Sequence, residues 1–208
     1  LGNIGALYDL DKPNDLPPST HLRAILNNPE IKISALIERD KNTCRKVQSK
    51  TGISEAKFFS SLLQLPSELQ FDIVIFACPP KDRVKQLEFI RKFNPKVIVF
   101  EKPLAECSKQ AQAIIDICSR NEINAIVNFH RRYDLGHNAF FEQLPDAAPS
   151  KIIFNYSKGL WNYGSHGIDL IQNWFGPVKG ILSAMGQGDR INGLIELECG
   201  TIVHVIAD

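Results

Sequence analysis

The run Val97-Ile98-Val99-Phe100, halted at Glu101-Lys102-Pro103, constrains the fold more than any other stretch of the chain. Four apolar β-formers without polar alternation predict a strand covered on both faces by helices, the habit of parallel sheets. The charged pair then stands where a parallel strand ends, and open α/β sheets bind ligands beyond the carboxyl ends of their strands. A rigid proline holds the lysine there. Taken alone, the pair also reads as a solvated strand cap, the commoner use of charged residues, and the neighbouring segments have to decide between the two.

Three further apolar runs repeat the theme. Ile31 to Ile37 ends in Glu38-Arg39-Asp40, Phe71 to Cys78 runs into Pro79-Pro80, and Ile123 to Phe129 precedes the polar cluster His130-Arg131-Arg132-Tyr133. Helical stretches lie between them. Thr20 is a cap for a helix through Asn28, and Lys41 to Lys50 is polar and closes at Thr51-Gly52. A short helical turn is expected near Ser60 to Leu65. Asp82 is expected to cap a helix bearing Val84, Leu87 and Ile90, and Ser108 one whose Ala111, Ile114, Ile115 and Cys118 form a core stripe. Strand alternating with helix through about residue 129 predicts a parallel sheet with right-handed crossovers.

Several loop residues are placed for a dinucleotide. Gly2-Asn3-Ile4-Gly5 has glycines at the spacing of the second and third of G-x-G-x-x-G, whose backbone N–H groups approach a pyrophosphate; ordinary turns share that spacing. Ala6 to Leu10 starts a helix that the three prolines of Asp11 to Pro18 break, leaving an inserted loop. Glu38 stands where an acidic residue accepts the adenosine ribose hydroxyls, which favours NAD, with its distance from the glycines lengthened by that insertion. Arg39 beside it is placed to accept a 2′-phosphate and admit NADP. Both also fit a solvated charged turn. Pro79-Pro80, following Cys78, forces an extended exit and leaves a flat backbone edge suited to an adenine or to phosphates.

Beyond residue 129 the texture changes. Lys151 to Ser157, Gly180 to Met185, Gly193 to Glu198 and Thr201 to Ile206 read as strands, several alternating in polarity as in an antiparallel sheet with one wetter face. Between the first two, a helix is expected from about Gly164 to Phe175. His166 and Asp169 share one of its faces, and Ile168, Ile171 and Phe175 the other. A histidine on the polar face of a helix otherwise fit for burial is a candidate site wall, although a structural bond to Asp169 is the plainer account.

Charge and composition remove other classes. Lys and Arg number 24 against 23 Asp and Glu, with no basic stripe for a phosphate backbone, so no nucleic-acid partner is expected. No apolar run approaches the roughly 18 residues of a membrane span, and the N-terminus lacks a signal-peptide pattern. No membrane association and a cytoplasmic location follow. Cys44, Cys78, Cys107, Cys118 and Cys199 show neither C-x-x-C pairing nor metal spacing, so reduced thiols and no metal site are expected. A glycine turn with no strand before it and an apolar strand at the close are expected of a fragment of a longer protein.

Together these segments resemble the Gfo/Idh/MocA family, that of glucose-fructose oxidoreductase and inositol dehydrogenase. Gly2-Asn3-Ile4-Gly5, Ala77-Cys78-Pro79-Pro80, Glu101-Lys102-Pro103, Asn128-Phe129-His130-Arg131-Arg132-Tyr133 and Gly164-Ser165-His166-Gly167-Ile168-Asp169 occur in the family order. The resemblance covers nearly the whole chain and implies an α/β protein. Its N-terminal part, residues 1–129, would be a Rossmann domain with a doubly wound parallel sheet, its first strand missing. Residues 130–208 would be a truncated α+β domain with an open mixed or antiparallel sheet, for substrate binding and oligomerisation. The resemblance further implies NAD or NADP held by Gly2, Asn3, Ile4, Gly5, Glu38, Arg39, Cys78, Pro79, Pro80, Glu101 and Lys102. It implies a sugar, nucleotide sugar or cyclitol substrate, and a homodimer or homotetramer formed through the C-terminal sheet. Lys102 would touch both the nicotinamide ribose and the substrate hydroxyl, His166 would be the acid/base, and Asn162, Asp169, Arg131 and Tyr133 would face the substrate.

Two positions depart from the family pattern. Asn162 stands where the family often has an aspartate, four residues before the histidine, and an amide cannot accept a proton. Arg83 stands where a histidine usually follows the proline pair. The stretch Lys158 to His166 is most similar to members linked to surface-polysaccharide sugars. A dinucleotide-binding sensor or scaffold without turnover is the alternative function that Asn162 keeps open.

Overall fold

A computed structural model, describing residues 1–13, 16–145 and 147–208, gives the chain two units, Leu1–Asn128 and Phe129–Asp208. In the first, β1 (Leu36–Ile37) pairs in parallel with β2 (Phe58–Phe59). A second parallel ladder runs β3 (Ile73–Phe76), β4 (Val97–Phe100), β5 (Asn124–Val127), with Phe76 opposite Phe100 and Phe100 opposite Val127. The helices are α1 (His21–Leu26), α2 (Lys41–Thr51), α3 (Arg83–Ile90) and α4 (Ser108–Arg120). Thr20 caps α1 by accepting from the Arg23 N–H. Gly52, at φ 70°, ends α2 in the left-handed conformation that glycine adopts without a Cβ penalty.

The core lies on one face of the second ladder. Ile98 and Phe100 are buried against Leu87 and Ile90 of α3 and Ile114, Ile117 and Cys118 of α4. Because both helices pack on that face, the other is only partly covered, and Ile73 and Ile126 are exposed. The unbroken apolar run had implied burial on both faces. The stripe of α4 is also rotated from expectation: Ile117 is buried and Ile115 exposed.

Local departures have local causes. Of the strand expected over Ile31 to Ile37, only Leu36 and Ile37 form a ladder, because Phe58 and Phe59 offer a partner just two residues long. Asn3–Leu7 form a single π-helical turn in place of the helix expected from Ala6, and the loop after it includes residues 14 and 15, outside the described residues. Asp82 occupies the position before α3 with φ 61°, and its side chain makes no capping bond. Cys107, not Ser108, is the cap position of α4. Asp40, read only as part of a charged turn, caps α2 by accepting from the N–H groups of Asn42 and Thr43.

The second unit is a four-stranded mixed sheet in the order β6 (Lys151–Tyr156), β9 (Ile202–Ala207), β8 (Arg190–Leu197), β7 (Val178–Gln187). β6 and β9 are parallel and the other pairs antiparallel. The helix α5 (Leu135–Phe141) precedes the sheet, and α6 (Ser165–Phe175) covers one of its faces. Tyr156, Leu197, Val203 and Val205 form the core with Ile171 of α6. Glycine lets α6 come close: a Cβ at Gly167 would land on the ring of Phe154. The opposite face carries Ile153, Met185 and Ile206, all exposed, so it is more apolar than its alternation implied.

Candidate cofactor and substrate site

In the first unit, the predicted residues gather beyond the ends of β1, β3 and β4. The Gly2 to Gly5 turn lies beside Glu38, whose Oε2 is 3.0 Å from the Leu1 nitrogen and whose Oε1 accepts from the Asp40 N–H at 3.0 Å. Burial pushes the Glu38 carboxyl up. The N–H groups of Asp40 and Gly2 donate to it and oppose that shift. A dinucleotide fits this turn. Gly2, at φ 51°, has nothing within 4 Å of where a side chain would stand, while a Cβ on Gly5 would already sit 3.4 Å from Ala77 at the end of the Phe71 to Cys78 run. The Glu38 carboxylate oxygens keep lone pairs for ribose hydroxyls. Arg39 is exposed next to it.

Lys102 is half-buried on the loop after β4, next to a cis peptide bond to Pro103. The loop leaves the sheet smoothly, with the Glu101 N–H donating to the Phe76 carbonyl at 3.0 Å. Glu101 turns its carboxylate inward: Oε1 lies 2.8 Å from His21 Nε2 of α1 and 2.6 Å from Asn128 Nδ2 beyond β5. The Arg83 guanidinium grips the loop's carbonyls and that of Cys78. Pro79 is exposed and Pro80 half-buried at the neighbouring strand end.

In the second unit, His166 is buried in the first turn of α6. Its ring meets Phe129 edge-on, with centroids 5.8 Å apart, and His130 at 4.9 Å. One helical turn on from His166 lies Asp169, the partner expected of a structural pair. It forms a fork with Arg132, which donates through Nε at 2.8 Å and through Nη2 at 2.6 Å. That bond holds Arg132 above its ordinary pKa. Asn162 is exposed on the π-helical turn Leu160–Gly164 that leads into α6. The Arg131 guanidinium lies over the ring of Tyr163 at 5.6 Å, and Tyr133 is exposed. A cavity of about 270 Å³ runs along α6, lined by Phe129, Leu160, Trp161, Ser165, Ile168, Asp169 and Gln172.

Sequence reasoning passed over His21 and Asp189, and named Asn128 only as part of a motif without its role in holding a loop. His21 and Asn128 sit on α1 and after β5, far in sequence from Glu101. Asp189, in the hairpin between β7 and β8, fixes the Asn162 turn: its carbonyl accepts from the Leu160 N–H at 2.8 Å and its Oδ1 from the Trp161 N–H at 2.7 Å. The dipeptide Gly188-Asp189 is a turn signal, but nothing local shows what its carboxylate reaches. Among the described residues no group of three or more His, Cys, Asp or Glu is gathered where it could hold a metal ion, and no helix is long and apolar enough to cross a membrane.

Solved structures share this architecture. The WlbA (WbpB) dehydrogenase from Thermus thermophilus, solved with NAD and alpha-ketoglutarate, is 19% identical over 90% of this chain, with a TM-score of 0.73. An oxidoreductase from Agrobacterium radiobacter, in complex with NAD+, L-tartaric acid and magnesium, is 18% identical over 88%, with a TM-score of 0.74. The scyllo-inositol dehydrogenase from Lactobacillus casei is 13% identical over 89%, with a TM-score of 0.73. At these identities the likeness is one of fold. The chain spans 68%, 60% and 65% of their respective lengths. No curated protein sequence matches. Residues 18–129 match the Gfo/Idh/MocA family model, described as an oxidoreductase family with an NAD-binding Rossmann fold, and the chain belongs to that family.

Proposed function

We propose that this protein is a nicotinamide-dependent dehydrogenase or reductase acting on a CH–OH carbon of a sugar, nucleotide sugar or cyclitol. The carrying observation is the scaffolding of the Lys102 loop, where Glu101 is turned inward onto His21 and Asn128. A solvated strand cap has no use for such a buried polar frame. NAD, when bound, supplies the hydride acceptor or donor. Lys102 holds a fixed positive charge near the reacting oxygen and stabilises negative charge as it develops there. His166 accepts the hydroxyl proton at a ring nitrogen, and the Phe129 and His130 rings fix its orientation. Asp169 is committed to Arg132, so its role in this reading is to anchor α6, in place of the substrate contact that the resemblance implied. Glu38 accepts the ribose hydroxyls and favours NAD, while Arg39 leaves NADP admissible. Gly2, Asn3, Ile4 and Gly5 and the Cys78-Pro79-Pro80 edge hold the rest of the dinucleotide. Asn162, Arg131 and Tyr133 face the substrate.

Nucleotide sugars are the favoured substrates, because the fold is shared with a dehydrogenase also solved with NAD and UDP-GlcNAcA, and surface-polysaccharide biosynthesis is the matching context. The uncovered apolar face of the C-terminal sheet supports association into a homodimer or homotetramer. A cytoplasmic location is the reading we keep for a chain of this family whose five cysteines show neither C-x-x-C pairing nor metal spacing.

The test is titration with NADH and NADPH, with nucleotide-linked and free sugars present. Sugar-dependent turnover is the expected result. Asn162 favours a second reading, a dinucleotide-binding sensor without turnover, because its exposed amide cannot take a proton. Tight NADH binding with no turnover on any sugar would favour the sensor, and gain of turnover in Asn162→Asp would identify the missing carboxylate as its cause.

A further inference from the structure

Arg83 is 1% exposed, the most deeply buried charged side chain described in the first unit. It opens α3, and its hydrogen bonds go to backbone carbonyls of two loops rather than to a carboxylate. Nη1 donates to Glu101 O at 2.9 Å, Pro103 O at 2.7 Å and Leu104 O at 2.8 Å, and Nη2 to Cys78 O at 2.6 Å. Nη1 carries two hydrogens, so at least one is shared between carbonyls. The guanidinium carbon lies 5.7 Å from the centre of the Phe100 ring, whose face seats the cation at the end of β4. Cys78 ends the run that contains β3, and residues 101–104 follow β4. One side chain therefore ties the exits of two adjacent parallel strands.

We infer that Arg83 is a positioning residue that locks the Cys78-Pro79-Pro80 and Glu101-Lys102-Pro103 loops into one frame, and so sets where Lys102 stands against the nicotinamide cofactor. The cofactor part of this inference rests on the proposed function. The planar fork is what the task requires: an imidazole has at most two N–H donors, and an ammonium is a point charge without the fork's fixed directions. Burial pushes the guanidinium's pKa down, but from so high a starting value that it stays charged throughout the working range. Deprotonation therefore does not switch the lock.

Arg83→Lys keeps the charge and loses the fork, and Arg83→Met keeps the length and loses both. In Arg83→Lys, amide hydrogen exchange in peptides spanning 101–106 is expected to accelerate by about tenfold or more, while peptides from α4 stay unchanged. NADH affinity, read by nicotinamide fluorescence, is expected to fall about tenfold. Arg83→Met should exceed both changes; if it fails to fold, Arg83→Lys carries the comparison alone. Unchanged loop exchange in Arg83→Lys overturns the lock. Faster exchange with unchanged NADH affinity overturns its link to the cofactor, since a merely structural arginine would behave that way. Exchange is measured without cofactor, so a wild-type chain that binds no NADH would defeat the proposed function and leave the lock to be decided by the exchange rates.

Discussion

The loop carrying Lys102 has its carbonyls bonded by a buried guanidinium, with the Glu101 side chain beside it turned onto His21 and Asn128, whereas, among the described residues, the helix carrying His166 is held only through side chains, by the Arg132 to Asp169 fork and by ring contacts. A backbone-held loop fixes where a side chain starts, and so the reach of its tip. A side-chain-held helix fixes the orientation of the imidazole itself. That difference matches the two tasks proposed for them: Lys102 reaches a cofactor and an oxygen, and His166 presents one nitrogen to one proton. If the division holds, damage to the frame that holds the Lys102 loop shows in cofactor affinity, whereas loss of the Lys102 charge itself, or damage in the second unit, shows in turnover.

Lys102→Ala should have the largest effect, lowering kcat about a thousandfold in steady-state assays, while NADH affinity stays within about tenfold because the loop backbone is untouched. Survival of turnover would remove Lys102 from the mechanism. Gly167→Ala comes next, on stability: the added methyl meets the Phe154 ring and should cost about 1–3 kcal/mol in a denaturant titration, with the first unit unaffected. Arg132→Met leaves the buried Asp169 carboxylate without its fork. Because the Arg132 side chain is itself 43% exposed, about 1–2 kcal/mol is expected, partly recovered in Arg132→Met/Asp169→Asn. NADH affinity unchanged in that variant would sharpen the contrast between the halves. Glu38→Ala should have the smallest effect, weakening NAD about tenfold with little change for NADP, measured by competition titration. Equal loss for both cofactors would remove the ribose assignment.

The strand at Val97 to Phe100 was legible as a short unbroken run of β-formers with a clear stop, and the helix at Ser165–Phe175 by its helical period. The ladder at Phe58 and Phe59 was not, since two residues show no periodicity at all. The missed caps have a similar cause: Asp40 and Asp82 look alike in sequence, but only Asp40 has the extended backbone that points a carboxylate at the next turn. At the site, motifs named Lys102 and His166, whose proposed roles are on ligands. Arg83, His21, Asn128 and Asp189 act on other parts of the chain. Their roles depend on contacts between segments 18 to 80 residues apart that no local pattern encodes, as in Arg83 to Glu101 and His21 to Glu101. The uncovered apolar residues Ile153, Met185 and Ile206 were hidden for the opposite reason, because alternation alone made their face look wet.

The most direct test of the division between the halves is His166→Ala, assayed for NADH affinity and for sugar-dependent turnover on the same preparation. Turnover lost by about a thousandfold with NADH affinity within about tenfold of wild type is the predicted result. Turnover that persists, or affinity and turnover lost together, would contradict it.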